Sequence, residues 1–293
     1  MAETEHLGQL FESERDHLRA VAYRMLGSAT EADDAVQETW LRLNRTDAVS
    51  IENLGGWLTT VISRVCLDML RSRKSRREES LETELTESAA ESSQATNPEQ
   101  EALLADSVGV ALLVVLDTLT PPERLAFVMH DMFDVSFEEI ASIIGRTPQA
   151  ARQLASRARR RVRGPEKVEH IDLTRRGKVV NAFLTALRGG DFDGLLAVLD
   201  PDVLVRVDMP GRPGAPAEVR GAANWAKGAV AYSQLVGSVQ PALVDGSPGL
   251  VFAPGGRLAR VLTFKIVGEK IVEFEVIANP NRLKQLNLAV LDE

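Results

Sequence analysis

The sequence predicts a multidomain chain in which two all-α domains are followed by one α+β domain. Three observations carry this. Apolar residues recur at helical spacing through residues 5–77 and again through 101–163. Between those blocks, Glu78 to Glu101 holds eight glutamates and no basic residue. Beyond residue 174, two helical stretches give way to β-branched runs broken by Pro-Gly and Gly-Gly turns. The expected divisions are 1–77, an acidic linker over 78–100, 101–164, a short linker over 165–173, and 174–293. A length of 293 residues suits two or three domains, and 44% apolar residues exclude global disorder.

In the first block Leu10, Leu18, Val21, Ala22, Met25 and Leu26 mark a helix that Gly27 ends. Thr30 is the expected cap of the next, with Glu31 and Asp33 in a first turn where the helix dipole favours acids. Ala32, Ala35, Val36, Trp40 and Leu43 form its apolar stripe. A third helix runs from Asn53–Leu54 through Trp57, Leu58, Val61, Ile62, Val65 and Met69 into a run of arginines.

The second block opens on Thr120-Pro121-Pro122-Glu123, with proline in a first turn that needs no amide donor. Ser136-Phe137-Glu138-Glu139 has capping-box spacing, Gly145 ends that helix, and Thr147-Pro148 starts another. A helix of about nine residues, a Gly-containing turn and a longer basic helix make a helix-turn-helix pattern. In the third block Arg175–Leu187 and Phe192–Leu199 read as helices, and 203–208, 250–252, 258–267 and 270–277 as strands.

The net charge of −8 hides two basic patches. Arg64–Arg77 carries six basic residues against Asp68, and Ser136–Arg163 seven arginines against Glu138 and Glu139. Two such patches bind a polyanion despite the total. On the helix after Thr147, one face is apolar (Ala151, Leu154, Ala155, Ala158, Val162). The rest offers Thr147, Gln149, Arg152, Gln153, Ser156, Arg157 and Arg160. Gln suits adenine and Arg suits guanine in the major groove, while the later arginines suit phosphates. The bland alternative is a solvated face of a bundle helix. On the Trp57 helix, positions 57, 61, 64, 68 and 71 lie within about 80° of one another. Trp57, Arg64, Asp68 and Arg71 therefore share a ridge leading to Arg73, which suits an unstacked strand; the alternative is a core tryptophan on a charged helix end. The acidic set Asp33, Asp34, Gln37 and Glu38 suits a basic protein partner or a solubilising face.

Cys66 is the only cysteine, which excludes an internal disulfide and a multi-cysteine zinc site, so no metal or cofactor is expected and a reducing cytoplasm fits. The acidic N-terminus has no apolar core of a signal peptide, and the longest apolar stretch, near Val108–Leu116, is far short of a membrane span.

Gly27-Ser-Ala-Thr-Glu-Ala-Asp-Asp-Ala-Val-Gln-Glu-Thr-Trp40 and Trp57–Arg76 resemble region 2 of the extracytoplasmic-function (ECF) sigma factors, and Leu119-Thr-Pro-Pro-Glu-Arg124 through Arg161 resembles their region 4. The resemblance implies a promoter-reading subunit of RNA polymerase, of a kind tied to stress responses. It implies that Asp33, Asp34, Gln37 and Glu38 meet the β′ clamp helices of core polymerase, with region 4 on the β flap. It implies that Asn53, Trp57, Arg64, Asp68, Arg71 and Arg73 open and read the minus-10 element of promoter DNA. The Thr147 helix would read the minus-35 element. Whether a separate anti-sigma partner exists stays open.

Residues 174–293 resemble the cone-shaped SnoaL-like (NTF2-like) domain fused to some of these factors. Asn279-Pro280-Asn281-Arg282-Leu283 is similar to a signature of that subset, and Ala253-Pro254-Gly255-Gly256-Arg257 matches a second motif in part. The linker Gly164–His170 lacks the usual Trp-Leu-Pro-Glu-Pro run. Such folds host enzymes as well as sensors. The tail has no His, no Cys and one Tyr, Tyr232, so a base would have to be a carboxylate; Asp208 is the nearest candidate, and a turn carboxylate the plainer reading. No catalytic residue is expected, and the tail is expected to modulate in cis by docking on the sigma blocks. The alternative is a polymerase-independent helix-turn-helix regulator with a ligand-sensing or weakly enzymatic tail; it has no use for the region-2-like block.

Overall fold

The computed structural model describes residues 2–46, 51–83, 109–163, 170–208, 218–230, 239–254 and 257–290. Helix α1 spans Ala2–Leu26, α2 Ala29–Asn44 and α3 Leu54–Thr83. Gly27, at φ +74°, separates α1 from α2 as expected. The cap of α2 is Ser28, whose hydroxyl accepts from Glu31 N at 3.4 Å; Thr30 lies inside the helix. Helix α3 runs six residues past Arg77, because Glu and Leu continue a helix readily once it is nucleated. Residues 84–100 of the expected acidic linker lie outside the described residues.

Helix α4 spans Val110–Asp117, and α5 spans Pro121–Phe127 and passes into one π-helical turn over Val128–Met132. Helix α6 is Phe137–Ile144 and α7 is Pro148–Arg163. The chain divides into two compact units. One gathers α1–α3 with Leu116–Arg159; the other gathers Gly109–Val115 with the chain from Arg160 onward.

In the first unit α1, α2 and α3 form a bundle around Phe11, Leu18, Met25, Leu26, Leu43, Leu58, Ile62 and Leu67, all buried. Phe11 packs on Trp40 with ring centroids 4.9 Å apart. Helices α5 and α6 lie against α3.

In the second unit α8 (His170–Gly189) takes in the last four residues of the expected short linker. Next come α9 (Phe192–Val198), β1 (Leu199–Asp208), β2 (Glu218–Arg220), α10 (Ala222–Val230), β3 (Val239–Val244), β4 (Ser247–Phe252), β5 (Arg260–Val267), β6 (Lys270–Ile277), α11 (Pro280–Leu283) and β7 (Leu288–Ala289). The sheet order is β2-β1-β6-β5-β4-β3-β7, with β1 and β6 parallel and the other described pairs antiparallel. Asp245-Gly246, both at positive φ, turn β3 into β4, as a tight hairpin needs. Helices α8–α10 cover the sheet through Val180, Phe183, Leu195 and Ala226, packed on Val203, Val205, Leu250, Ile271 and Phe274. The expected α+β class is the one observed.

Candidate nucleic-acid interface

The helix-turn-helix is built from local chemistry. Ser136 Oγ accepts from Glu139 N at 3.2 Å while the Glu139 carboxylate accepts from Ser136 N and Oγ, so the start of α6 satisfies two of its open donors. Gly145, at φ +68°, ends α6, and Thr147 Oγ1 accepts from Ala150 N at 3.2 Å to cap α7. On α7, Ala151, Leu154, Ala155, Ala158 and Val162 are buried. Thr147, Gln149, Arg152, Gln153, Ser156, Arg157 and Arg160 are all exposed. The expected division into an anchored stripe and an outward face is complete.

Several arginines already have partners. Arg152 lies 3.3 Å from Glu138 and stacks over the Phe137 ring at 5.4 Å. Arg157 stands 4.0 Å from Glu123. Arg159, one position before Arg160, is tied to Asp131 at 2.6 Å and so belongs to the framework. The Arg152 pair is solvent-exposed on both sides, and such pairs contribute only about 0–1 kcal/mol, so a base edge can displace Glu138.

On α3 the expected ridge divides. Asn53 Oδ1 accepts from Gly56 N at 3.0 Å and caps the helix. Trp57 is half-buried and Val61 buried, whereas Arg64, Asp68 and Arg71 are exposed, with Arg71 and Asp68 3.6 Å apart. Arg73 turns inward: it pairs with Glu31 and donates to the Leu26 carbonyl at 3.3 Å, clamping α3 to the junction of α1 and α2.

The acidic set lies on α2. Asp33 binds Arg19 at 2.6 Å and Glu38 binds Arg42 at 2.9 Å, while Asp34 and Gln37 are exposed. The sequence reasoning missed Leu41. It is 41% exposed, four residues after Gln37 and seven after Asp34, and therefore on the same face. The available signal was a leucine standing off the apolar stripe of its own helix.

Arg124 of α5 was also missed. It is 2% exposed, and its guanidinium donates to the Arg24 carbonyl at the end of α1 and to Asp117, each at 3.3 Å. Burial pushes it down to about 10, although Asp117 pulls the other way. Nearby, Ser63 Oγ meets Met129 Sδ at 3.3 Å and His17 meets Phe133 edge to face at 5.4 Å. Burial pushes the Cys66 thiol up to about 12, which leaves it unreactive. A cleft of about 500 Å³ opens between Arg71 and Ser75 of α3 and Thr120–Glu123, Arg146, Leu154 and Arg157. Arg71 and Arg157, expected to serve separate promoter elements, thus line one space.

In the tail, Asn279 Oδ1 accepts from Asn281 N and caps α11, with Pro280 in its first turn and Leu283 at its end. Arg282 of that motif binds the Glu275 carboxylate through two nitrogens and Asp208 at 2.9 Å. Asp208 is thus part of an ion-paired network that fastens α11 to the ends of β1 and β6. Arg257 is exposed, and its amide donates to the Pro254 carbonyl at 3.3 Å. Gly255, Gly256 and Tyr232 lie outside the described residues. Among the described residues no cluster of three or more His, Cys, Asp or Glu could hold a metal, and no helix is long and apolar enough to cross a membrane.

Residues 10–76 match the family model for Sigma-70 region 2, and residues 109–162 that for Sigma-70, region 4. The chain is 38% identical over 286 residues to the ECF RNA polymerase sigma factor SigJ of Mycobacterium tuberculosis, covering 93% of this chain and 91% of SigJ. It is 33% identical over 295 residues to the probable ECF RNA polymerase sigma factor SigI of the same species, covering 98% of each. The crystal structure of Mycobacterium tuberculosis SigJ superposes with a TM-score of 0.46 at 32% identity, covering 94% of this chain and 97% of that one. Two region models in order, and identity that runs through the tail, place this chain among the ECF RNA polymerase sigma factors.

Proposed function

We propose that the chain joins core RNA polymerase through the α2 face of Asp34, Gln37, Glu38 and Leu41, with Asp33 at its edge, and brings α3 and α7 to two elements of one promoter. Helix α7 reads the minus-35 element through Gln149, Arg152, Gln153 and Ser156, with Arg157 and Arg160 on phosphates. Asn53, Trp57, Arg64, Asp68 and Arg71 engage the minus-10 element. Arg73 supports them by fixing α3 to α1 and α2. The tail modulates this activity in cis, by contact rather than turnover: Asp208, the nearest candidate base, is already ion-paired to Arg282. The protein works in the cytoplasm without a cofactor.

The observation that carries the reading is the complete separation of α7 into a buried stripe and an exposed Gln/Arg face. A free helix-turn-helix regulator accounts for α7 but leaves the α2 face, with its exposed leucine among acids, without a purpose. A leucine ringed by polar groups is the anatomy of a protein contact. Reversing that face with Asp34→Lys and Gln37→Lys together should weaken association with purified core polymerase about tenfold, or ~1.4 kcal/mol. Duplex binding by α7 should be unchanged. Titration of labelled protein with core polymerase checks this; undiminished affinity would remove α2 from the interface.

A further inference from the structure

The cleft between α3 and the helix-turn-helix has no task in the reading above. Its cationic groups come from three places in the chain: Arg71 on α3, Arg146 in the turn before α7, and Arg157 on α7. Ser75 and Thr120 add hydroxyls at its wall. One acid, Glu123, lies among them, but it is 7% exposed and its carboxylate accepts from Thr120 N at 3.1 Å and Thr120 Oγ1 at 2.7 Å. That carboxylate is engaged in capping α5, and Arg157 is 4.0 Å away from it. The Arg71–Asp68 pair is exposed and long at 3.6 Å, so an incoming anion displaces it at little cost.

Size and lining define the ligand. A space of about 500 Å³ is the size of a small-molecule site. It is ample for a chain of phosphoryl groups. No aromatic side chain lines it, so it has no platform for the bases of a single strand, which bind by stacking. Arginine forks match phosphate oxygens in pairs.

We propose that this cleft is a binding site for a small polyphosphate anion, bridging α3 and the helix-turn-helix and excluding promoter DNA from Arg71 and Arg157 while bound. The exclusion rests on the proposed function; the binding does not. Calorimetric titration of the full chain with inorganic triphosphate at about 0.15 M ionic strength, where distant surface charge is screened, tests the site. The expected result is saturable one-to-one binding, weakened at least tenfold by Arg146→Ala and less than twofold by Arg76→Ala, an exposed arginine on the helix of Arg71 but outside the cleft. Both arginines are exposed, so folding is not at stake. Equal losses in the two variants, no saturation, or tighter binding of a thymidine oligonucleotide of equal charge would overturn the site. In transcription with core polymerase, saturating triphosphate should lower initiation at least fivefold for the native chain and less than twofold for Arg146→Ala. Undiminished initiation with triphosphate bound would overturn the exclusion. A chain that supports no initiation at all would refute the proposed function, with calorimetry still deciding the site.

Discussion

Alanine in place of Phe183 is expected to destabilise the C-terminal sheet domain by about 3–5 kcal/mol, the usual loss for a fully buried aromatic. Phe183 is 0% exposed, and its ring lies 5.5 Å from Trp225, 5.3 Å from Phe264 and 5.6 Å from Phe274. These rings fill the space between α8, α10 and the sheet, where backbone cannot collapse into a void. A loss of that size rivals the whole stability of a small domain. Urea unfolding followed by Trp225 emission should show the transition shifted to lower denaturant or lost. A shift worth less than about 1 kcal/mol would mean that the aromatic cluster is not the keystone of the tail. The same variant tests modulation in cis, because promoter output should change when the tail is melted while α3 and α7 as far as Arg159 stay in the other unit.

Arg152→Ala should cost about 1–3 kcal/mol, roughly five- to 150-fold in affinity, at one base pair of the minus-35 element, and relax the preference there. Its position carries the argument. Arg152 is exposed in the first half of α7, the end that enters a groove, and its two present contacts, Glu138 and the Phe137 face, hold the guanidinium extended without burying it. Binding measured on a panel of single-base variants of the promoter decides the matter. Selective loss at one position is the expected pattern. A uniform loss across all sequences would make Arg152 a phosphate contact.

Much of the recognition unit was legible in the sequence because its determinants are local. Ser136 with Glu139, Gly145, and Thr147 before Pro148 mark helix ends through chemistry contained within four residues. The stripe on α7 follows from periodicity alone. What escaped depended on distant partners. Arginine is seldom buried, so nothing in the local sequence announces that Arg124 closes over the end of α1, one hundred positions earlier in the chain. Arg73 looks identical to its basic neighbours, and only Glu31 and the Leu26 carbonyl distinguish it. Strand β3 was missed because Pro241 interrupts it. The structure tolerates that proline where β7, which pairs only with Leu243 and Val244, leaves the β3 edge open. The three-residue β2 and two-residue β7 are too short to show alternation. The meeting of Arg71 and Arg157 in one cleft is a tertiary fact that no spacing rule could supply.

Arg71 and Arg157 sharing that cleft bears on how the protein works. With Arg71 and Arg157 on separate promoter elements, as proposed, engagement with DNA is expected to part α3 from the helix-turn-helix. Between the first three helices and the segment leading into the helix-turn-helix, the contacts include Arg124 on the Arg24 carbonyl, Ser63 on Met129, and His17 on Phe133.

The most direct test is run-off transcription with purified core polymerase on a genomic promoter library, with and without this chain. Added chain should produce discrete transcripts from a small set of promoters sharing two spaced elements, and those transcripts should vanish without it. Identical transcript sets in both reactions would contradict the account.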